Sequence, residues 1–248
     1  MPVTIRDLVT IPLSTSAQDW AVRTATQKCL YSIHGFIWRN LPTIFQNTFQ
    51  GDLAKSAFIE WLNSNGVSQI WEYDRRRADG FRGWNRLKYQ LRVTKRNGDE
   101  LKIDVNSSVP TRGEGNDAII NERDIKVTAG ERRGRLTEPM NLHADVFVQI
   151  YVRPHVTITL PAAGEIQQLL SQQGENATRH LLNVSRVYSG NILTGFAWAT
   201  RANVNRFKRT HERRGEPATW QYWRSHRIYW CCPIRKSRKM IDLPSYLR

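Results

Sequence analysis

The hydrophobic pattern of this chain changes its period near Gly66, and this change limits the possible folds more than any other feature of the sequence. Before Gly66 the apolar residues recur at helical spacing, and from there to about residue 152 they follow the patterns of strands. Helices followed by a strand-rich middle predict a mixed α/β fold. A length of 248 residues suits one such unit, so we predict a single domain over 1–248.

Three helices are predicted before the change of period, over 17–31, 34–49 and 51–63. The third has the clearest apolar stripe, formed by Leu53, Ala54, Ala57, Phe58, Trp61 and Leu62. Pro42 predicts a break or a helix start inside the second. Two further helices are predicted over 165–173 and 178–184.

Five strands are predicted, over 67–73, 89–94, 101–107, 144–152 and 156–160. Asn97-Gly98 is a strong hairpin signal between the second and the third of them. Pro110, Gly113 and Gly115 predict a mobile loop over 110–118.

The charge of the chain indicates its class of partner. Lys and Arg number 37 against 22 Asp and Glu, which leaves a net charge of +15. A charge of this size attracts polyanions. The sequence shows neither a basic amphipathic helix nor a lipid anchor, so nucleic acid, above all double-stranded DNA, is expected rather than a membrane surface.

Cysteine usage and the N-terminal segment indicate a reducing cell interior. Cys29, Cys231 and Cys232 are odd in number and two of them are adjacent, so no disulfide framework is expected, and their spacing matches no zinc module. The first twenty residues lack the apolar run of a secretory signal, and no stretch approaches the roughly 18 apolar residues of a membrane span. The expected location is the cytoplasm of a prokaryotic cell.

The order of motifs between residues 51 and 152 resembles a known family. A helix opens with Gly51-Asp52-Leu53-Ala54, and Gly66, a strand and Asp79-Gly80-Phe81 follow. A hairpin then ends in Lys102-Ile103-Asp104-Val105-Asn106-Ser107-Ser108, ahead of a buried strand with Ala144-Asp145-Val146-Phe147-Val148. This order resembles the PD-(D/E)XK nuclease superfamily, and the stretch Gly195-Phe196-Ala197-Trp198-Ala199-Thr200-Arg201 resembles a segment of some prokaryotic members.

The resemblance implies a restriction-endonuclease-like α/β fold with a mixed central sheet flanked by helices. Its nuclease-like core would cover 51–160. A helical N-terminal region, 1–50, would precede the core, and a helical, basic and Trp-rich C-terminal part, 161–248, would follow it.

The resemblance also implies a site in which carboxylates hold Mg²⁺ against the scissile phosphate and a lysine assists the attacking water. Asp104 matches the acidic position of the (D/E)-x-K motif and would be the metal ligand. Asn106 stands where the motif has lysine, Gln90 where a strand aspartate is expected, and Lys55 where a helix glutamate is expected. Three of the four expected groups are therefore changed, although Lys55 could partly replace the missing lysine or metal charge.

A second register of the same motif is present in Asp124-Ile125-Lys126, a literal D-x-K twenty residues after Asp104. If Asp104 were the first aspartate, Asp124 and Lys126 would complete the site, because residues two apart on a strand share a face. In the alternative interpretation both are surface charges.

Basic residues interleaved with aromatic residues form two clusters that predict nucleic-acid contact. Arginine and lysine neutralise phosphates, and aromatic rings can stack on bases. The first cluster contains Arg75, Arg76, Arg77, Arg82, Trp84 and Arg86. The second contains Arg206, Lys208, Arg209, Arg213, Arg214, Arg224 and Arg227.

These features leave two principal functions open. The first is a Mg²⁺-dependent endonuclease with Asp104 as its metal ligand. The second is a catalytically inactive protein of the same fold that binds DNA or RNA as a subunit of a larger complex. A third function, that of an RNA-associated structural protein unrelated to nucleases, also fits the charge, and in any of these roles the chain could form a homodimer.

Overall fold

A computed structural model describes residues 1–32, 41–74, 89–133, 136–139, 141–153, 192–222 and 227–248. Its helices are α1 (Thr15–Ser32), α2 (Leu41–Ser64), α3 (Asn116–Glu122), α4 (Arg201–Arg213) and α5 (Leu243–Leu247). Its strands are β1 (Val9–Ile11), β2 (Ile70–Glu72), β3 (Leu91–Thr94), β4 (Glu100–Ser108), β5 (Val127–Arg133), β6 (Leu136–Pro139), β7 (Val146–Val152), β8 (Leu193–Thr200), β9 (Thr219–Gln221), β10 (Arg227–Trp230) and β11 (Arg238–Lys239). Short 3-10 turns lie at Ile5–Asp7, Ile234–Lys236 and Met240–Asp242.

A seven-stranded mixed sheet forms the centre of the molecule. Its strands lie in the order β1-β8-β7-β4-β3-β2, and β11 pairs with β8 beside β1. β4 runs parallel to β7, and the other described neighbours in this sheet are antiparallel. The β3–β4 hairpin turns at Asn97-Gly98, where Gly98 has a φ of 87°. The prediction of an α/β fold with a mixed sheet flanked by helices is confirmed at this level.

One face of this sheet packs against the first two helices, and we call it the α1–α2 face. Alternate residues of a strand point to the same side. Ile103 and Val105 of β4 therefore lie beside Val148 of β7 in one buried apolar cluster with Leu53 and Phe58 of α2. Burial of this stripe holds α2 on the sheet, because removing apolar surface from water is the main favourable term in folding.

The opposite face packs against α4 and a smaller sheet, and we call it the α4 face. A second apolar cluster there joins Phe147 of β7 and Phe196 of β8 to Phe207 of α4. The smaller sheet has the order β6-β5-β10-β9 and contributes Val127 and the partly buried Trp230 to the same cluster. Helix α4 and the smaller sheet thus lie on one side of the central sheet.

Helix α4 was not among the predicted helices, although its sequence contains the signals for one. Thr200 accepts a hydrogen bond from the backbone N–H of Asn203, and the Asn203 side chain accepts one from the Thr200 N–H, so a capping box starts the helix. Val204 and Phe207, three residues apart, form its buried stripe. The density of charged residues around these two positions concealed the pattern.

Two predictions of local structure were wrong. The segment from Leu41 to Ser64 is one helix rather than two, because Phe45, Phe49 and Leu53 continue a single stripe across Gly51. The predicted loop at 110–118 ends early, because α3 begins at Asn116. Pro42 lies at the second position of α2, where it supports a helix start.

Other predicted elements were confirmed in part or fall on residues that the structure leaves undescribed. α1 and strands β2, β3, β4 and β7 lie within about two residues of their predicted bounds, except that β2 is shorter. The predicted elements at 156–160, 165–173 and 178–184 lie outside the described residues. Among the described helices, none has an apolar stretch long enough to cross a bilayer.

Candidate nucleic-acid interface

Asp104 and Asn106 lie together on β4 and face the α4 side of the sheet. In the parallel β4–β7 ladder Asp104 is level with Phe147, which belongs to the α4-face cluster. The Asn106 side-chain amide donates a hydrogen bond of 2.9 Å to Asp104 Oδ2. Burial raises the pKa of the Asp104 carboxyl, and this hydrogen bond and the positive charge of Arg227 offset the rise only in part.

Gln90 is at the position where the resemblance expects an aspartate. It lies beside β4, and its amide oxygen is already hydrogen-bonded. Its Oε1 accepts a hydrogen bond of 3.0 Å from the backbone N–H of Val105. The side chain therefore satisfies a backbone group in the strand that carries Asp104. This contact supports β4 and gives Gln90 a positioning role in the arrangement observed.

Lys126 lies on the same side of the sheet as Asp104. Its backbone N–H donates to Oε1 of the buried Gln149 on β7 at 3.1 Å, and its Nζ is 5.3 Å from the centre of the Tyr222 ring. Burial, followed by the charges of Arg227 and Arg123, lowers the pKa of Lys126 to about 8. Arg227 is a charged group that acts on both Asp104 and Lys126.

Asp124, the other charged residue of the D-x-K sequence, is used to hold the C-terminal segment. Its Oδ1 accepts a hydrogen bond of 2.8 Å from the backbone N–H of Cys232, next to an isolated bridge between Asp124 and Pro233. Burial raises the pKa of Asp124 to about 6, against the lowering effects of that N–H and of His211. Asp124 and Lys126 therefore occupy different environments.

Lys55 lies in a buried ionic cluster on the α1–α2 face, on the other side of the sheet from Asp104. It forms ion pairs with Asp52 at 3.3 Å, with Glu72 at 3.1 Å and with Asp74. Lys28 of α1 also pairs with Asp52, at 2.5 Å, and with Asp74, at 2.8 Å. Burial lowers the pKa of Lys55, but the charges of Asp52, Asp74 and Glu72 more than reverse this and raise it above its ordinary value.

Sequence reasoning did not anticipate this cluster. Glu72 and Asp74 had no predicted partner, and Lys28 was not singled out. The one local signal is the spacing of three residues between Asp52 and Lys55 on a helix. The other contacts join residues that are distant in the chain.

The second predicted basic cluster is gathered on the α4 face. Arg206, Arg209 and Arg213 of α4 are exposed, as is Arg214 immediately after it. Lys208 packs its Nζ 4.7 Å from the centre of the Trp230 ring, and Arg227 is exposed at the start of β10. Of the predicted contact residues, Arg224 and the whole first cluster, Arg75 to Arg86, lie outside the described residues.

Aromatic residues of the smaller sheet border this basic surface. The Trp220 ring lies 4.8 Å from the Tyr229 ring, nearly parallel to it, and 4.7 Å from Tyr222. Tyr222 is 40% exposed. Of these three rings, Tyr222 is therefore the most available for stacking on a base.

The donor set around Asp104 does not match the requirements of Mg²⁺. This ion prefers ionised carboxylates and substrate phosphates as ligands. Asp104 instead accepts a hydrogen bond from the Asn106 amide and is affected by the positive charge of Arg227. Burial favours the protonated form of its carboxyl. Within the ranges that the structure describes, no group of three His, Cys, Asp or Glu side chains is placed to hold a metal ion.

Comparison of the chain with protein-family models, with curated proteins and with solved structures gives no match. The class of protein must therefore be inferred from the geometry and charge of the α4 face.

Proposed function

We propose that this chain is a nucleic-acid-binding protein that holds the sugar–phosphate backbone of duplex DNA on its α4 face. The observation that carries the proposal is the orientation of α4. Val204 and Phe207 anchor the helix in the apolar cluster, and Arg206, Arg209 and Arg213 face solvent. A row of cations held on a rigid sheet is a suitable surface for phosphates.

The cations of this helix are mostly free of acidic partners. Arg201 pairs with Asp145 at 2.9 Å, and Lys208 lies 3.9 Å from Glu212. Arg206, Arg209 and Arg213 have no carboxylate partner in the described part of the chain. Because their charge is not neutralised internally, binding a phosphate can release counterions and stabilise a complex.

The salt dependence of binding tests this proposal. The affinity for a blunt duplex of about 20 base pairs is measured by fluorescence anisotropy between roughly 50 and 200 mM NaCl, a range in which a phosphate-dominated complex weakens steeply. Arg209→Gln combined with Arg213→Gln should weaken binding and reduce the slope of log K against log salt by about 1.8, because each lost phosphate contact contributes about 0.9.

The matched control removes the same charge from elsewhere on the molecule. Arg23 of α1 and Arg96 at the β3–β4 turn are exposed and lie off α4. Arg23→Gln combined with Arg96→Gln should leave the slope close to that of the unmodified protein. Affinity that is independent of salt, or an equal effect of both double variants, would refute the proposal. Tighter binding to structured RNA than to the DNA duplex would show that RNA is the preferred nucleic acid.

The residues around Asp104 and on α4 support binding of nucleic acid without cleavage best. This is the activity expected of a catalytically inactive nuclease-like protein that acts within a larger complex. Mg²⁺-dependent DNA cleavage is a second candidate, favoured by the position of Asp104 on the same side of the sheet as α4. Incubation of plasmid DNA with Mg²⁺ or Mn²⁺ separates the two. Nicking by the unmodified protein that Asp104→Asn abolishes would establish cleavage, and no nicking by either protein would support binding alone.

A further inference from the structure

A recess of about 410 Å³ lies at the C-terminal half of α4. Its size falls within the range of roughly 300–1,000 Å³ that is usual for small-molecule sites. Its walls come from α4, from the turn that follows the helix and from the 3-10 turn Ile234–Lys236. They include Arg206, Phe207, Arg214, Glu216, Pro233 and Lys236.

Three cations lie at the rim of this recess. Arg206, Arg214 and Lys236 are exposed, and none of them has a carboxylate partner among the residues that the structure describes. Glu216 is the acidic residue among the described lining residues, and its Oε2 lies 3.2 Å from His211 Nδ1. The recess therefore has an excess of positive charge and favours an anionic ligand.

The turn after α4 keeps Glu216 against His211 and away from the rim cations. The backbone N–H of Glu216 donates to the His211 carbonyl at 3.0 Å. Gly215, with a φ of 67°, allows the chain to reverse there without strain. Glu216 forms no ion pair with Arg206, Arg214 or Lys236 in the described part of the chain, so these three cations remain available.

The apolar residues of the lining are Phe207, which is buried, and Pro233, which is half-buried. The Arg206 guanidinium lies 5.4 Å from the centre of the Phe207 ring. Inorganic phosphate alone would leave this apolar surface without a partner. A flat ring attached to a phosphate matches both parts of the recess, because bases stack on aromatic and guanidinium surfaces.

From these observations we infer that the recess binds one unpaired nucleotide, with its base against Phe207 and Pro233 and its phosphate between Arg206, Arg214 and Lys236. The inference rests on the proposed function and adds to it. It identifies the preferred ligand as DNA with an unpaired nucleotide, such as a strand end that extends beyond the duplex.

Two DNA substrates with the same duplex test the inference. One has blunt ends, and the other carries a single-stranded overhang of about three nucleotides. Affinity is measured for both by fluorescence anisotropy. The unmodified protein should bind the overhang substrate about tenfold more tightly, which is a typical gain from stacking one base. Arg206→Gln combined with Lys236→Gln should remove this preference.

Arg209→Gln combined with Arg213→Gln is the matched control, because it removes the same charge from two exposed arginines of the same helix that do not line the recess. It should weaken binding of both substrates equally and keep the tenfold preference. Equal binding of both substrates by the unmodified protein would overturn the inference. A preference for the overhang that survives in the Arg206→Gln/Lys236→Gln protein would overturn it too. Either result would leave the proposed function standing. Failure to bind either substrate would overturn the proposed function itself.

Discussion

The side-chain amide of Asn106 donates a hydrogen bond of 2.9 Å to the carboxylate of Asp104, from a position two residues further along the same strand. Residues two apart on a strand share a face, so this pair has the geometry of a D-x-K motif without its cation. A lysine at this position would favour the ionised carboxylate. The neutral amide does so less strongly, and burial raises the pKa of Asp104.

Substitution of Asp104 should therefore stabilise the protein near neutral pH. In Asp104→Asn the charge of this partly buried side chain is removed and the side-chain volume is kept, so the melting temperature at about pH 7.5 should rise rather than fall. Millimolar Mg²⁺ should shift the melting temperature of both proteins equally. A Mg²⁺-induced rise that is seen only in the unmodified protein would show that Asp104 binds the ion, and would favour the endonuclease.

The carboxyl of Asp124 predicts a pH-dependent stability. Its pKa is about 6 in the folded chain against 3.8 ordinarily. Because the folded state holds this proton more tightly than the unfolded state does, ionisation costs stability as pH rises through that window. The cost is complete above about pH 6 and absent below about pH 4. Asp124→Asn keeps an oxygen for the Cys232 N–H, and should raise the free energy of unfolding by about 1–3 kcal/mol at pH 8.

Urea unfolding of both proteins at about pH 8 and about pH 4 measures this difference. The gain should disappear at the lower pH, where the unmodified carboxyl is protonated. A gain of the same size at both values would show that it arises from packing rather than from the charge of Asp124.

Removal of Lys55 should be among the more damaging single changes on the α1–α2 face. Lys55→Met removes a buried cation that Asp52, Glu72 and Asp74 share, and loss of one partner of a buried pair costs about 3–5 kcal/mol. Chemical denaturation measures the loss.

The control for this change is Lys102→Met, because Lys102 is exposed and has its Nζ 5.4 Å from the centre of the Tyr89 ring. Its effect should remain within about 0.5 kcal/mol. Adding Asp74→Asn to Lys55→Met should restore part of the lost stability. If Lys55→Met behaves like the control, the ionic cluster is not important for folding.

Two glycines should respond to alanine in opposite ways. A Cβ at Gly195 would lie 2.8 Å from Met240 Cγ, so Gly195→Ala should destabilise the protein by about 1–3 kcal/mol. Gly51 lies within α2, where a Cβ would meet Ser107 Oγ at an ordinary 3.8 Å. Gly51→Ala should stabilise the protein by roughly 0.5–1 kcal/mol, because alanine loses less backbone entropy in a helix. Thermal unfolding measures both, and destabilisation by Gly51→Ala would contradict the close but unstrained fit of α2 on β4.

Several features of the site could be predicted from the sequence. The Asn97-Gly98 turn predicts a return strand that carries both Asp104 and Asn106, and the density of C-terminal arginines predicts a basic surface. The roles of Lys55 and Asp124 could not be predicted, because each depends on a partner outside its own segment. Lys55 meets Asp74 from 19 residues away, and Asp124 accepts from a backbone group 108 residues further along the chain.

Local features of the chain are enough to predict α1, the Asn97-Gly98 hairpin, the buried strand β7 and the large positive charge. These features follow from local hydrophobic period, turn chemistry and composition, which act between near neighbours. The packing of distant segments places Lys55 and Asp104 on opposite faces of the sheet, and brings Arg206 of α4 together with Arg214 and Lys236 around one recess. Such relationships arise when segments pack, because burial and charge pairing then join groups that no local pattern connects.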